Sequence, residues 1–306
     1  MTTTDSSRSG WSGTPHSPPS PSQNGESGRH RRLGVVRLRP RSALALGLAS
    51  LAGLLMFAWP LLVEPGAEFA HNSDAPFIFV LILPALIAVV LAELSEGGMD
   101  TKAIAMLGVL AAIGAALRPL GAGTAGIETV FFLLILAGRV YGPGFGFVLG
   151  SVTLFASALI TGGVGPWLPF QMLAASWVGL GAGLLPAARG KKEIAMLAAY
   201  GAFSAYAFGL LMNLWFWPYT LDAGTQLGYH AGAPLLENLH RFLVYTVVTS
   251  TFGWDTGRAI TNVLAICIIG PSVLAVLRRA TRRAAFDEPI EFTGPEPIDP
   301  GRAARG

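Results

Sequence analysis

Apolar runs of roughly 18 or more residues recur along this chain, and that recurrence constrains its fold more than any other feature. A backbone in hydrocarbon must satisfy its own N–H and C=O groups, so only helices and closed barrels cross a bilayer. Alternating segments of about ten residues, the mark of a barrel, are absent. The sequence therefore reads as all-α, a polytopic helical membrane protein. Composition agrees, because 13% of the residues are charged where a soluble domain carries about 25%.

Eight hydrophobic segments are expected as spans: 42–63, 75–94, 101–118, 125–141, 144–161, 167–188, 193–217 and 256–278. Residues 1–40 are rich in Ser, Pro and Gly and lack apolar periodicity, so they read as a disordered, basic, cytoplasmic N-terminus. No signal-peptide core precedes the first run, which is expected to stay in the protein as a span. Six arginines between Arg29 and Arg41 anchor that span on the inside. An even number of spans returns the C-terminus to the same side. RGKK (Arg189–Lys192), RRATRR (Arg278–Arg283) and Lys102 then fall on inner connections, while Arg118 and Arg241 fall outside against the bias. The loop 64–74 carries three acids and no Lys or Arg, which suits the outer side. The expected location is the cell (plasma) membrane, multi-pass, with both termini cytoplasmic.

The longest outer connection is 218–255. Within it Leu235–Trp254, which carries Glu237, His240 and Arg241, is expected as an interfacial helix over the outer mouth, with a further partial span as the alternative. The tail 284–306 is Pro- and Gly-rich and is expected to be unstructured.

Little in the chain suggests catalysis. HExxH, Walker A, CxxC and GxSxG motifs are missing, and the five histidines are scattered outside the spans. One cysteine, Cys267, excludes an intrachain disulfide. No enzyme activity, cofactor, metal centre or nucleic-acid partner is expected. GPGFGFVLG (Gly142–Gly150) imitates a dinucleotide loop but follows a membrane span rather than a strand. Its glycines at 142, 146 and 150 read instead as a face for close helix packing. Glu93, Glu128 and Glu193 lie near span ends and the halves show no repeat, which argues against an ion-coupled carrier, although a coupling role for Glu128 stays open.

Polar and aromatic residues collect instead at one depth on the outer side. They are Arg118, Trp167 and Gln171, then Asn213, Trp215 and Trp217, then Arg258 and Asn262. Interfacial belts explain tryptophans without a ligand, and interhelical hydrogen bonding explains amides. Together with arginine, at a common depth and from four segments, they read as a ligand pocket. The third segment adds two stripes of small residues, Gly108–Ala112–Ala116 and Ala111–Ala115. Such spacing lets another helix approach closely in lipid, either within the protein or from a separate membrane subunit.

Five stretches, in order, join these features: AAIGAALRPLG (111–121), LILAGRVYGPGFGFVLG (134–150), GPWLPFQMLAASWVGLGAGLLP (165–186), FGLLMNLWFW (208–217) and WDTGRAITN (254–262). From about 101 to 283 the chain resembles the substrate-binding S component of energy-coupling factor (ECF) transporters. The resemblance implies a six-helix core, here 101–283, that captures a vitamin or related micronutrient from outside. It also implies partners: a transmembrane T component, docked on an AxxxA-type stripe of the first core helix, and a pair of cytoplasmic ATP-binding subunits. Ala111 and Ala115, or Ala112 and Ala116, match that stripe. Residues 42–94 add two spans with no counterpart in a minimal S component. Leu134–Leu185 is similar to a subgroup associated with cobalamin or corrinoid uptake. Two other classes stay open, an ion-coupled secondary transporter and a non-transporting membrane scaffold.

Overall fold

A computed structural model describes Thr2 and residues 40–62, 86–90, 99, 101–121, 124–221, 225–230 and 232–284. The expected disordered start, the loop 64–74, most of the span 75–94 and the tail beyond Ala284 lie outside the described residues. Among those described, every regular element is helical. The first is α1 (Pro40–Phe57), extended by the short α2 (Trp59–Leu62). Then come α3 (Thr101–Leu117), α4 (Phe131–Tyr141), α5 (Pro143–Thr161), α6 (Leu168–Leu184) and α7 (Lys191–Thr220). The last are α8 (Leu235–Thr246), a π-helical stretch over Val247–Asp255, α9 (Thr256–Ile268) and α10 (Gly270–Ala284).

The chain is a polytopic helical membrane protein. Helices α1, α5 and α7 are each long and apolar enough to cross a bilayer, and α3, α4 and α6 are shorter apolar helices. Leu235–Ile268 and Gly270–Arg283 are long and apolar enough only as a pair, with a bend of 64° between them. Seven of the eight expected segments thus contain an observed helix, and residues 86–90 of the eighth are helical.

Two boundaries differ from expectation for identifiable reasons. The segment expected at 125–141 is helical only from Phe131. Ahead of it Gly121, Ala125 and Gly126 have φ of 93°, 43° and 76°, which no right-handed helix accommodates. The last segment, expected as one span over 256–278, is broken at Ile269, and the helical run ahead of the break starts at Leu235. Residues 235–254 therefore continue as one helical run into Thr256–Ile268. Inside it, Thr251 Oγ1 and Thr256 Oγ1 donate to carbonyls five residues back, Thr246 and Thr251, at 3.3 and 2.6 Å. Hydroxyls that compete for backbone carbonyls in this way accompany the locally widened turn. The break at Ile269 comes just before Gly270-Pro271, where proline lacks the N–H needed to continue.

The centre of the bundle is a backbone-to-backbone crossing of α4, α5 and α6. A Cβ added at Gly138 on α4 or Gly146 on α5 would overlap the Gly179 carbonyl on α6, and one at Gly150 would overlap Ala175. Without a hydrophobic drive inside lipid, this close approach supplies much of the packing attraction. Gly142 departs from the expected stripe. With φ 107° it forms the corner between α4 and α5 rather than a helix face. Ser151 and Ser176, both fully buried, share a hydrogen bond of 2.8 Å across the same interface.

The added helix α1 lies on α6. Its Gly53 accommodates Leu173 and Trp177, Trp177 donates its indole N–H to Ser50 Oγ at 2.9 Å, and Phe57 meets Phe170 edge-on at 5.1 Å.

Candidate functional site

The end of α3, loop residues 124–130, the starts of α4, α6 and α9 and the later half of α7 meet at one end of the bundle. Thr129 Oγ1 donates to the Leu117 carbonyl at 2.8 Å, tying the loop to α3. Gly126 and Gly257 hold the loop against the start of α9, because a Cβ on either would overlap the other segment's backbone.

Arg118 and Gln171 are brought together here. Arg118 donates through Nη2 to Gln171 Oε1 at 2.9 Å and through Nη1 to Ser157 Oγ at 3.5 Å. Trp167 stands one helical turn before Gln171, 42% exposed, its indole N–H bonded to the Gly163 carbonyl at 3.2 Å.

Arg258 is buried, and its charge is fully engaged. Its guanidinium donates to Glu128 at 3.0 and 3.3 Å, to Asp255 Oδ1 at 2.9 Å and to the Ala205 carbonyl at 3.2 Å. Its Cζ stands 5.0 Å from the Phe208 ring centroid and 5.7 Å from that of Phe131. Asp255 accepts a second bond from Ser250 Oγ at 2.9 Å and lies over Gly209, where any side chain on α7 would displace the carboxylate. Two carboxylates around one guanidinium is how a buried charge survives in low dielectric.

The remaining four candidates each occupy a different setting. Asn262, one turn beyond Arg258, is fully buried; it donates Nδ2 to the Gly201 carbonyl at 3.0 Å, and its Oδ1 finds no partner among the described residues. Asn213 is half-buried, with a buried Nδ2 that is likewise unpartnered there. Trp215 is buried and stacks on Phe170 at 4.4 Å and 6°, which locks the start of α6 to α7. Trp217 is fully buried in a separate cluster with Phe242, Tyr245 and Tyr229, its indole N–H held by the Leu227 carbonyl at 2.8 Å. Trp217 therefore seals the 225–245 region onto α7 rather than lining an open mouth.

The two stripes of α3 separate cleanly. Ala111 and Ala115 are buried in the core, whereas Gly108, Ala112 and Ala116 are exposed beside Val109 and Ile113.

Sequence reasoning overlooked the partners that neutralise the arginines. Glu128 reads as an isolated acid at a span end, and only the fold carries it 130 residues along the chain to Arg258. A second ion cluster was also missed, at the opposite end of α4. There buried Arg139 donates Nε to Glu193 Oε1 at 2.8 Å, and Arg278 reaches the same oxygen at 2.7 Å. The hint was present in the sequence, since an arginine inside an apolar run demands a partner.

Residues 102–269 match the model of the family described as ECF transporter, substrate-specific component. No curated protein and no solved structure gives a significant match.

Proposed function

The chain belongs to the substrate-specific components of ECF transporters, and from that premise we propose that it captures an amide-bearing vitamin, with corrinoids as the leading class. As a member of that family it is a membrane-embedded, substrate-binding subunit of a transporter. The observation that carries the finer reading is the Arg118–Gln171 bond of 2.9 Å beside exposed Trp167. Arg118 holds the Gln171 carbonyl, which leaves the carboxamide N–H groups to donate elsewhere. An aromatic face and a few fixed polar donors suit a large, partly apolar ligand, and the amide side chains around a corrin ring would supply acceptors. Asn213, Trp215, Arg258 and Asn262 belong to the same proposed site, the last two as buried supports.

Delivery would pass through a T component and a pair of ATP-binding subunits. Exposed Gly108, Ala112 and Ala116 support a T-component docking face on α3, while burial of Ala111 and Ala115 assigns those two to internal packing. The proposed domain plan has two added spans over 42–94 and a core over 101–283, with both termini inside.

Binding of labelled vitamins, cobalamin included, to the full-length protein in detergent tests the reading. Binding of cobalamin without nucleotide or partner is expected. Accumulation of substrate by the chain alone in liposomes under a proton or sodium gradient would overturn it in favour of an ion-coupled carrier.

A further inference from the structure

The bend before Gly270 leaves a cleft between the start of α7 and α10. It measures about 560 Å³ and is lined by apolar Ile194, Pro271 and Leu274 and by the cations Lys191 and Arg278. That volume falls within the roughly 300–1,000 Å³ of small-molecule clefts. One acid, Glu193, also lines it, but its carboxylate is held between Arg139 and Arg278 at 2.8 and 2.7 Å. The three ions carry one net positive charge, and Lys191 adds another.

Helix α10 surrounds the cleft with the two chemistries of a bilayer surface. On it Leu274 and Leu277 are buried against the bundle and Val276 is 66% exposed, while Ile268 and Ile269 at the preceding bend are 73% and 47% exposed. Beyond them Arg279, Arg282 and Arg283 are exposed, and none takes part in an ion pair among the described residues. Helix α10 turns 64° from the helical run before it, and a helix with one apolar and one basic face suits the bilayer interface. Exposed aliphatics at the bend then meet acyl chains, and the arginines meet the headgroup layer.

We propose that this cleft and the basic face of α10 bind an anionic phospholipid. Its phosphate sits between Lys191 and Arg278 and its acyl chain lies against Ile194 and Leu274. The charge complementarity is specific to such a lipid. A zwitterionic headgroup would bring a cation back toward three exposed arginines, whereas an anionic one leaves its charge to them. Each basic residue near such a surface contributes about 1 kcal/mol, or about fivefold in affinity. This inference does not depend on the identity of the transported substrate.

The test uses the full chain in nanodiscs of phosphatidylcholine with and without phosphatidylglycerol, with retained lipid counted by native mass spectrometry after transfer to detergent. Wild type should retain phosphatidylglycerol in clear excess over phosphatidylcholine. Lys191→Gln should reduce that retention about fivefold. Arg282→Gln/Arg283→Gln should reduce it about twenty-five-fold, and because neither arginine is ion-paired this variant is expected to stay folded. Equal retention of the two lipids by wild type would overturn the proposal, as would undiminished phosphatidylglycerol in both variants. Displacement of the lipid by millimolar inorganic phosphate would also overturn it, showing a soluble-anion site instead.

Discussion

Arg258 and Glu128 meet at 3.0 Å although 130 residues separate them, and that contact joins loop residues 124–130 to the start of α9. The guanidinium is buried and shares itself between Glu128 and Asp255. Each carboxylate's value depends on how deeply it is buried, and the side chain of Asp255 is 2% exposed against 29% for Glu128.

Removing Arg258 would strand Asp255 in low dielectric. Arg258→Ala should cost about 3–5 kcal/mol of stability, as loss of one partner of a buried pair does. Glu128→Gln should cost less, since Asp255 and the Ala205 carbonyl still hold the guanidinium. Thermal unfolding of the detergent-purified variants checks the order. Equal losses would mean the ion cluster depends on the loop acid as much as on the arginine itself.

Gln171 and Trp217 should behave differently although both stand among the candidate site residues. Gln171→Ala removes the amide fixed by Arg118 and should weaken ligand binding about tenfold to a hundredfold, the equivalent of 1–3 kcal/mol. Trp217→Phe loses the bond to the Leu227 carbonyl and should lower thermal stability with ligand affinity nearly unchanged. Titration with the bound vitamin separates the two effects, and a large affinity loss in Trp217→Phe would place that ring in the site.

On α3 the two stripes of small residues predict opposite outcomes. Ala112→Trp projects from the exposed face and should abolish co-purification of the T component while ligand binding persists. Ala115→Trp has no room inside the core and should abolish folded protein. If Ala112→Trp leaves the complex intact, docking uses another face.

Gly146→Val should prevent the α5–α6 crossing, because its Cβ would overlap the Gly179 carbonyl, and little folded protein should be recovered. Gly108→Val meets open space within the chain and should fold normally. Size-exclusion profiles of the two variants are expected to diverge accordingly.

Orientation is testable by thiol labelling in intact cells. Native Cys267 is exposed and must first be replaced by Ala. Cysteines placed at Asn72 and Gly224 should then react from outside and one at Gly190 should not; labelling at Gly190 would reverse the proposed topology.

The membrane class, the helical content and the approximate position of seven helices follow from the sequence, because long apolar runs are a local property and the bilayer leaves the backbone one helical solution. The glycines at 146 and 150 and the Arg118–Gln171 end of the bundle were legible for a similar reason, since small residues and lone polar groups in a span each demand a neighbour. Which neighbour they receive is not local. Apolar periodicity could not show that Ala111 and Ala115 turn inward while Ala112 and Ala116 turn outward, because on a uniformly apolar helix both faces read alike. The stretch from Leu235 likewise reads from the sequence as a helix lying over the outer mouth, because Glu237, His240 and Arg241 interrupt its hydrophobicity. Glu237 and Arg241 form a local i,i+4 pair, but only the fold reveals that Asn238 is bonded to the His230 backbone and Arg241 to the Gln226 carbonyl. The ion clusters of Arg258 and Arg139 belong wholly to the tertiary structure: a buried charge states that a partner must exist, and the packing of distant helices decides which residue it is.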